Sequence, residues 1–435
     1  MLKIKCLLLF LFTLSSFSQQ SENWNSKKDK IKIPFELSHN LIIVDVIFNG
    51  VNLKMIADTG ASKSVVFSLP NNESMVIKEA NLITISGAGI SETIQGYLSK
   101  NNKLQIDKYF DNDFEAIFVF DRDISLVNRL GIPINGILGS SFFKNYLIEI
   151  DYQKKIITLF KSPKEKLKKN YFSAKIEIDN DRPYIYVKSK HDNKEVNFKL
   201  LFDTGLSDGL WLFENDSIEC NTAFFSDYLG KGLSGDIYGK KSRVQEVNFD
   251  NYKLQDVLVS YPDVTFFDKK TILQNRNGYL GGGIIQRFNW IIDYKEQKIY
   301  FKRNNLFDKP FDYNMSGIEV QHSGFQVVKE KVENAFSTNV ISFDKNDSQQ
   351  SYSDFFKYEL KPNFEIYSIR KDSPAEKAGL QVGDIILKIN NFQSHNLTIQ
   401  RILDVFHSKE GKQISIKVNR KGEVKTFKFN LEKIL

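Results

Sequence analysis

The chain has 435 residues, 41% of them hydrophobic and 26% charged, with a formal net charge of +7. That length exceeds what one core serves, so about two to four domains are expected. The positive excess is modest and gathers in the run Lys154 to Lys169, a solvated basic surface, and no Lys/Arg stripe interleaved with aromatics marks a nucleic-acid partner.

The first residues read as an address. Met1 to Lys5 is short and basic, Cys6 to Phe12 is apolar, and small and polar residues follow through Gln20. That order is a secretory signal over residues 1–18, with cleavage expected near Ser18. Its apolar run is too short for a permanent membrane span. An exported protein follows as the expectation, periplasmic or secreted. Only Cys220 would remain after cleavage, so no intrachain disulfide is available.

An internal repeat organises the next stretch. Short β-rich runs at Ile31 to Phe35, Leu41 to Phe48 and Leu53 to Ala57 lead into Asp58-Thr59-Gly60. Runs at Ala174 to Ile178, Tyr184 to Lys188 and Val196 to Phe202 lead into Asp203-Thr204-Gly205. Asn135-Gly-Ile-Leu-Gly139 is echoed by Asn277-Gly-Tyr-Leu-Gly281, and Leu147 to Tyr152 by Trp290 to Tyr294. Three landmarks in the same order at a nearly constant offset imply duplication. Two mainly β lobes, 30–160 and 173–304, are expected around a polar linker at 161–172. A third region, 315–435, carries a short helix at Ser373 to Leu380 and a strand at Ile385 to Ile389. There follow an amphipathic helix at Thr398 to His407 and closing strands at Ile414 to Val418 and Val424 to Leu431. The polar stretch Asp344 to Ser353 reads as a loop.

One Asp-Thr-Gly is weak evidence, since a given tripeptide occurs by chance in roughly one chain in twenty of this length. Two copies, each at the end of an apolar strand, are a different matter. A buried strand that ejects a carboxylate into a tight Gly turn needs a reason, either pairing or function. The alternative is a pair of Asx turns in which Asp and Gly serve geometry alone. If the lobes face each other, the carboxylates meet, and two carboxylates about 3 Å apart share one proton. Such a pair can activate water as general base and polarise a carbonyl as general acid.

These paired turns, each with its apolar-apolar-Gly segment (Ile137-Leu138-Gly139 and Tyr279-Leu280-Gly281), resemble the aspartic protease superfamily. A single copy is similar to a retropepsin, and two copies in one chain resemble the pepsin layout. The resemblance covers about residues 30 to 304 and implies two β-barrel lobes packed face to face. It implies that Asp58 and Asp203 are catalytic, that Thr59 and Thr204 brace the lobes, and that Gly60 and Gly205 support the loops. It implies a peptide or protein substrate and a monomer with intramolecular lobe pairing. Two departures stand out. The third residue after each Asp is Ala61 or Leu206 instead of a hydroxyl residue, which removes donors to the ionised carboxylates and points to a rate optimum nearer neutral than pepsin's. The flap candidate, Gly87-Ala88-Gly89 within Ser86 to Ser91, has no tyrosine and resembles the glycine-rich retropepsin flap, or is an ordinary hairpin turn. Leu233 to Asp236 is its counterpart in the second copy.

Ser373-Pro-Ala-Glu-Lys-Ala-Gly-Leu through Asn390 resembles a PDZ domain of the bacterial protease-associated type. That implies a small α+β module that adds an extended peptide to a sheet edge beside the helix Thr398 to His407. A C-terminal peptide ligand is implied, with Ser316-Gly317-Ile318 as the candidate carboxylate loop. No cofactor is expected. Gly230 to Gly235 fits a dinucleotide glycine pattern only by letter, the five histidines form no His-x-x-x-His pair, and no Gly-x-Ser-x-Gly elbow is present. Asp151 and Asp293 recur but precede turns, where hydrogen bonding explains them. The reading is an exported aspartic endopeptidase with a peptide-docking module; the alternative is a non-catalytic peptide-binding adaptor on the same scaffold.

Overall fold

In the computed structural model the apolar runs form strands that alternate core-facing and outward-facing side chains, as Lys30–Pro34 and Val51–Ala57 illustrate. The structure describes residues 28–70, 73–85, 94–119, 130–161, 170–191, 194–232, 235–267, 276–331 and 356–435. The leader at 1–18, most of the linker at 161–172 and the loop at 344–353 lie outside these residues.

The duplication is visible in strand order. In the first copy an eight-stranded sheet begins with Glu36–Ser38. It continues through Leu41–Phe48, Val51–Ala57, Gly136–Leu138, Ser64–Val66, Tyr109–Phe118, Ile94–Ile106 and Asn81–Ile85. In the second copy the order is Arg182–His191, Lys194–Phe202, Gly278–Leu280, Leu210–Leu212, Tyr252–Pro262, Gly235–Phe249 and Phe225–Gly232. From Leu41–Phe48 and Arg182–His191 onward the two orders correspond strand for strand. In each copy that leading strand also pairs with the long strand Ile94–Ile106 or Gly235–Phe249, which turns the sheet back on itself.

What joins the copies is a shared run of strands. Lys30–Pro34, Ile156–Phe160 and Leu147–Asp151 from the first copy continue into Phe288–Asp293, Lys298–Arg303 and Phe172–Asp179. The two repeated landmarks meet at its centre, with Ile148 opposite Ile292 and Ile150 opposite Trp290 in antiparallel register. One apolar core runs across both copies on this foundation, from Ile31 to Phe307, around the fully buried Trp290. Its indole donates to the Ile285 carbonyl and meets the Phe202 ring edge-on at 4.9 Å. The strand that ends at Asp203 is therefore held from beneath by an aromatic layer.

The third sheet runs Ile318–Lys331, Phe356–Ile369, Ile385–Ile389, Gln413–Arg420, Glu423–Asn430. Helix Pro374–Lys377 is capped by Ser373, and helix Ile399–Phe406 by Thr398, whose hydroxyl accepts from the Arg401 N–H. Gly379 and Gly383 both take positive φ, which the Ala-Gly-Leu and Gly-Asp turns require. Asp384, almost fully buried, is held bidentately by Arg420 at 2.6 and 2.7 Å. This region docks on the second-copy hairpin. Tyr367 donates to Asp236, its ring meets Tyr228 at 6.0 Å, and Phe225 stacks against Tyr313 at 5.1 Å. No helix among the described residues is long and apolar enough to cross a membrane.

Candidate active site

Each Asp-Thr-Gly loop is built the same way. Strand Val51–Ala57 runs parallel to Gly136–Leu138, and the Asp58 N–H donates to the Leu138 carbonyl at 2.9 Å. Strand Lys194–Phe202 runs parallel to Gly278–Leu280, and the Asp203 N–H donates to Leu280 at 2.9 Å. The repeated asparagines latch the paired strands together. Asn135 Oδ1 accepts from the Lys54 N–H, and Asn277 Oδ1 from the Lys199 N–H, at 3.0 and 2.8 Å. The glycines beside them are there for space: a Cβ at Gly136 or Gly278 would lie 2.3 or 1.9 Å from the carbonyl oxygen of Val65 or Trp211.

The two loops then meet. The Thr59 hydroxyl donates to the Phe202 carbonyl at 2.6 Å and accepts from the Thr204 N–H at 3.1 Å. The Thr204 hydroxyl donates to the Ala57 carbonyl at 2.7 Å and accepts from the Thr59 N–H at 3.1 Å. Both threonines are buried, so these four bonds are shielded from water. The brace leaves each glycine under the opposite carboxylate. A Cβ on Gly60 would lie 2.5 Å from Asp203 Cγ, and one on Gly205 would lie 2.3 Å from Asp58 Cγ.

The aspartates are thereby brought together, and they hydrogen-bond to each other. Their supports differ. Asp58 Oδ1 accepts from the N–H groups of Gly60 and Ala61 at 2.7 and 3.1 Å, and Asp203 Oδ1 from that of Gly205 at 2.8 Å. Burial raises the Asp58 pKa, while the bond from Asp203 and the two amides oppose the rise. Asp203 is held well above the usual carboxylate range, first by burial and then by the negative charge of Asp58. The pair therefore holds a shared proton to a higher pH than a free aspartate would, with Asp203 the more strongly raised of the two. Both side chains still reach solvent, since each residue is only partly buried. This arrangement can hold a water on an ionised carboxylate beside a protonated one.

Other groups around the pair were not singled out from the sequence. Arg276, almost buried, donates to the Tyr279 hydroxyl at 2.8 Å, and its charge favours ionised Asp203. Burial pushes the Tyr279 phenol up to about 12, so it stays neutral. Past the second loop, Asp208 accepts from Ser260 and from the Trp211 indole and pairs with Lys241 at 3.3 Å, which holds its carboxyl below the usual range despite burial. Arg276, Asp208, Lys241 and Ser260 carried no local sequence signal, since their roles depend on neighbours that the fold brings to them. Asp151 and Asp293 cap turns by accepting from Lys154 and Glu296 N–H groups, away from the pair. The flap residues Gly87, Ala88 and Gly89 lie outside the described residues; the strands that flank them pair antiparallel, with Ile85 opposite Ile94. Leu233 and Ser234 also lie outside, between strands that end with Gly232 opposite Gly235.

Residues 44–142, which contain the first loop and its apolar-apolar-Gly segment, match the aspartyl protease family, and residues 365–420 match the PDZ domain. The chain carries an aspartyl protease domain and a PDZ domain. No curated protein matches the chain. The aspartyl protease match spans only the first copy; the second copy, with Asp203, is tied to it by the shared strand order and by the mirrored loop contacts.

Proposed function

We propose that this protein is an exported aspartic endopeptidase in which Asp58 and Asp203 together activate water, with the PDZ domain docking peptide. The observation that carries the reading is the carboxylate pair: two aspartates from duplicated loops, hydrogen-bonded to each other, partly open to solvent and both raised above the usual carboxylate range by burial, Asp203 further so by the charge of Asp58. Ionised Asp58 takes a proton from the bound water as its oxygen bonds to the scissile carbonyl carbon. Protonated Asp203 donates to the carbonyl oxygen, giving a neutral tetrahedral diol. Collapse returns the hydroxyl proton to Asp203, the proton on Asp58 passes to the leaving nitrogen, and the C–N bond breaks. No covalent intermediate and no metal take part in this scheme. Because the pair keeps its shared proton to a higher pH than two free aspartates would, the rate optimum is expected to lie nearer neutral than pepsin's. Export rests on the basic, apolar and small-residue order of residues 1–18.

The test is cleavage of unfolded casein by the full chain and by Asp58→Asn and Asp203→Asn separately. Activity lost in both variants, with folding intact, supports the reading. Cleavage surviving in either one sinks it. A non-catalytic adaptor, the competing assignment, would bind casein and cut it in none of the three proteins.

A further inference from the structure

A cavity of about 680 Å³, within the size range of ligand sites, joins the protease domain to the PDZ domain. Gly205 and Asp208 of the second Asp-Thr-Gly loop line one side, and Val320, Gln400, Leu403 and His407 line the other. Gly205 is also the residue that lies against the Asp58 carboxylate. The cavity thus reaches from the second Asp-Thr-Gly loop, beside the carboxylate pair, to the groove between helix Ile399–Phe406 and strand Ile318–Lys331. That strand is the last in its sheet, paired on one side with Phe356–Ile369, so its other edge faces an added chain.

The chemistry at the head of the groove says what kind of chain fits. A free C-terminal carboxylate is captured by backbone N–H groups left open in a loop. Here the candidate loop has used its own. The Ser316 and Gly317 N–H groups donate to Asn314 Oδ1 at 3.0 and 3.2 Å, and the Ile318 N–H donates to Ser316 Oγ at 3.1 Å. The cation behind the loop, Arg370, donates to the Asn314 carbonyl at 3.1 Å and faces Asp227 of the protease domain at 3.5 Å. A terminal carboxylate would meet loop amides that are already spent, the Asp227 carboxyl, and an Arg370 whose remaining N–H groups, Nε and Nη2, lie buried beside the Phe225 ring and out of reach of the groove. Ser316-Gly317-Ile318, read from the sequence as a carboxylate loop, is closed to that role by its own hydrogen bonds.

We propose that the PDZ groove takes an internal, extended stretch of the substrate polypeptide instead of a chain terminus, and that the same chain runs through the cavity to the Asp58–Asp203 pair. This rests on the hydrolase reading above and deepens it. The substrate class is an unfolded or extended segment long enough to occupy both grooves at once.

Two readouts on the full chain test it. Binding is measured on the Asp203→Asn protein by fluorescence anisotropy of a labelled casein peptide of about twenty residues, made both as free acid and as C-terminal amide; at about 3.3 Å per residue it spans both grooves. Acid and amide should bind within about twofold of each other, and Gln400→Trp or Leu403→Lys should weaken both by about tenfold. Gln400 is exposed, so its variant fills the groove without disturbing the core. In the active protein, the same groove variants should raise KM for the long peptide about tenfold more than for one of about eight residues. A preference of about tenfold for the free acid, no binding at all, or equal effects on long and short peptides would overturn the proposal. Binding as expected by a protein that cuts nothing removes the hydrolase reading and leaves the internal-segment groove in place.

Discussion

Adding a single carbon at Gly205 is the sharpest perturbation the geometry offers. The Cβ of Gly205→Ala would lie 2.3 Å from Asp58 Cγ and 2.4 and 2.7 Å from its two oxygens. Carbon atoms rest at about 3.5 Å or more, so the carboxylate must retreat by at least about 1.2 Å. An O–H···O bond spans about 2.5–3.0 Å, so that retreat breaks the bond to Asp203. A displacement of about 1 Å costs about a hundredfold in rate where reacting groups must be aligned. The fold suffers less, because overpacking of this kind costs about 1–3 kcal/mol and alanine recovers part of it through the unfolded chain. The assay is kcat/KM on a quenched fluorescent peptide, beside a thermal melt to show that the variant is folded. Gly60→Ala repeats the experiment from the other side, with its Cβ 2.5 Å from Asp203 Cγ. A folded Gly205→Ala protein with kcat/KM within about threefold of wild type would refute the claim that the two carboxylates work as one unit.

Thr59→Val keeps the side-chain shape and removes the hydroxyl, leaving the Thr204 N–H and the Phe202 carbonyl buried without partners. At about 1–3 kcal/mol for each unsatisfied group, urea unfolding should show a loss of about 2–6 kcal/mol; a loss under about 0.5 kcal/mol removes the brace from the account. The raised Asp203 pKa carries a stability prediction of definite sign. Its folded-state value exceeds its unfolded one, so its favourable contribution is complete below the ordinary Asp pKa and is lost as pH rises through the raised value. Asp203→Asn removes that dependence, and its melting temperature should gain on wild type as pH climbs from the ordinary Asp value toward neutral. A difference that stays flat with pH contradicts the assignment of the shared proton.

Local patterns made much of this protein legible. Duplicated Asp-Thr-Gly turns after apolar strands, with matching Asn-Gly-x-Leu-Gly segments, are short-range signals, because each residue type answers a backbone demand within its own loop. Asn135 and Asn277 latch strands, and Gly136 and Gly278 admit a neighbouring carbonyl. Ser373, Thr398, Gly379 and Gly383 are of the same kind, serving as caps and positive-φ turns. Long-range pairing is different. The register of Leu147–Asp151 on Phe288–Asp293 follows from the packing of both copies, and no spacing within either strand encodes it. Charges misled in another way. Asp208, Lys241 and Arg370 look in sequence like solvated surface, yet their side chains are largely buried and find partners across distant elements.

Fusing both copies in one chain also allows them to diverge, and the divergence falls where it matters to the proton. Ile134 and Ile137 occupy in the first copy the positions that Arg276 and Tyr279 occupy in the second, and both isoleucines are buried apolar residues. Two identical loops would give the shared proton no preferred side. Here Asp58 accepts from two backbone N–H groups and Asp203 from that of Gly205, a difference that stabilises charge on Asp58. Arg276 acts the other way, favouring ionised Asp203, so the preference is a balance and not a lock. In the proposed mechanism a pair biased in this manner begins each cycle with base and acid already assigned, yet leaves the proton free to cross when the tetrahedral species collapses. The PDZ domain adds to the asymmetry, since Tyr367 and Arg370 engage Asp236 and Asp227 on the hairpin of the copy that carries Asp203. In the proposed mechanism the carboxylate that donates to the carbonyl therefore belongs to the copy on which the PDZ domain docks.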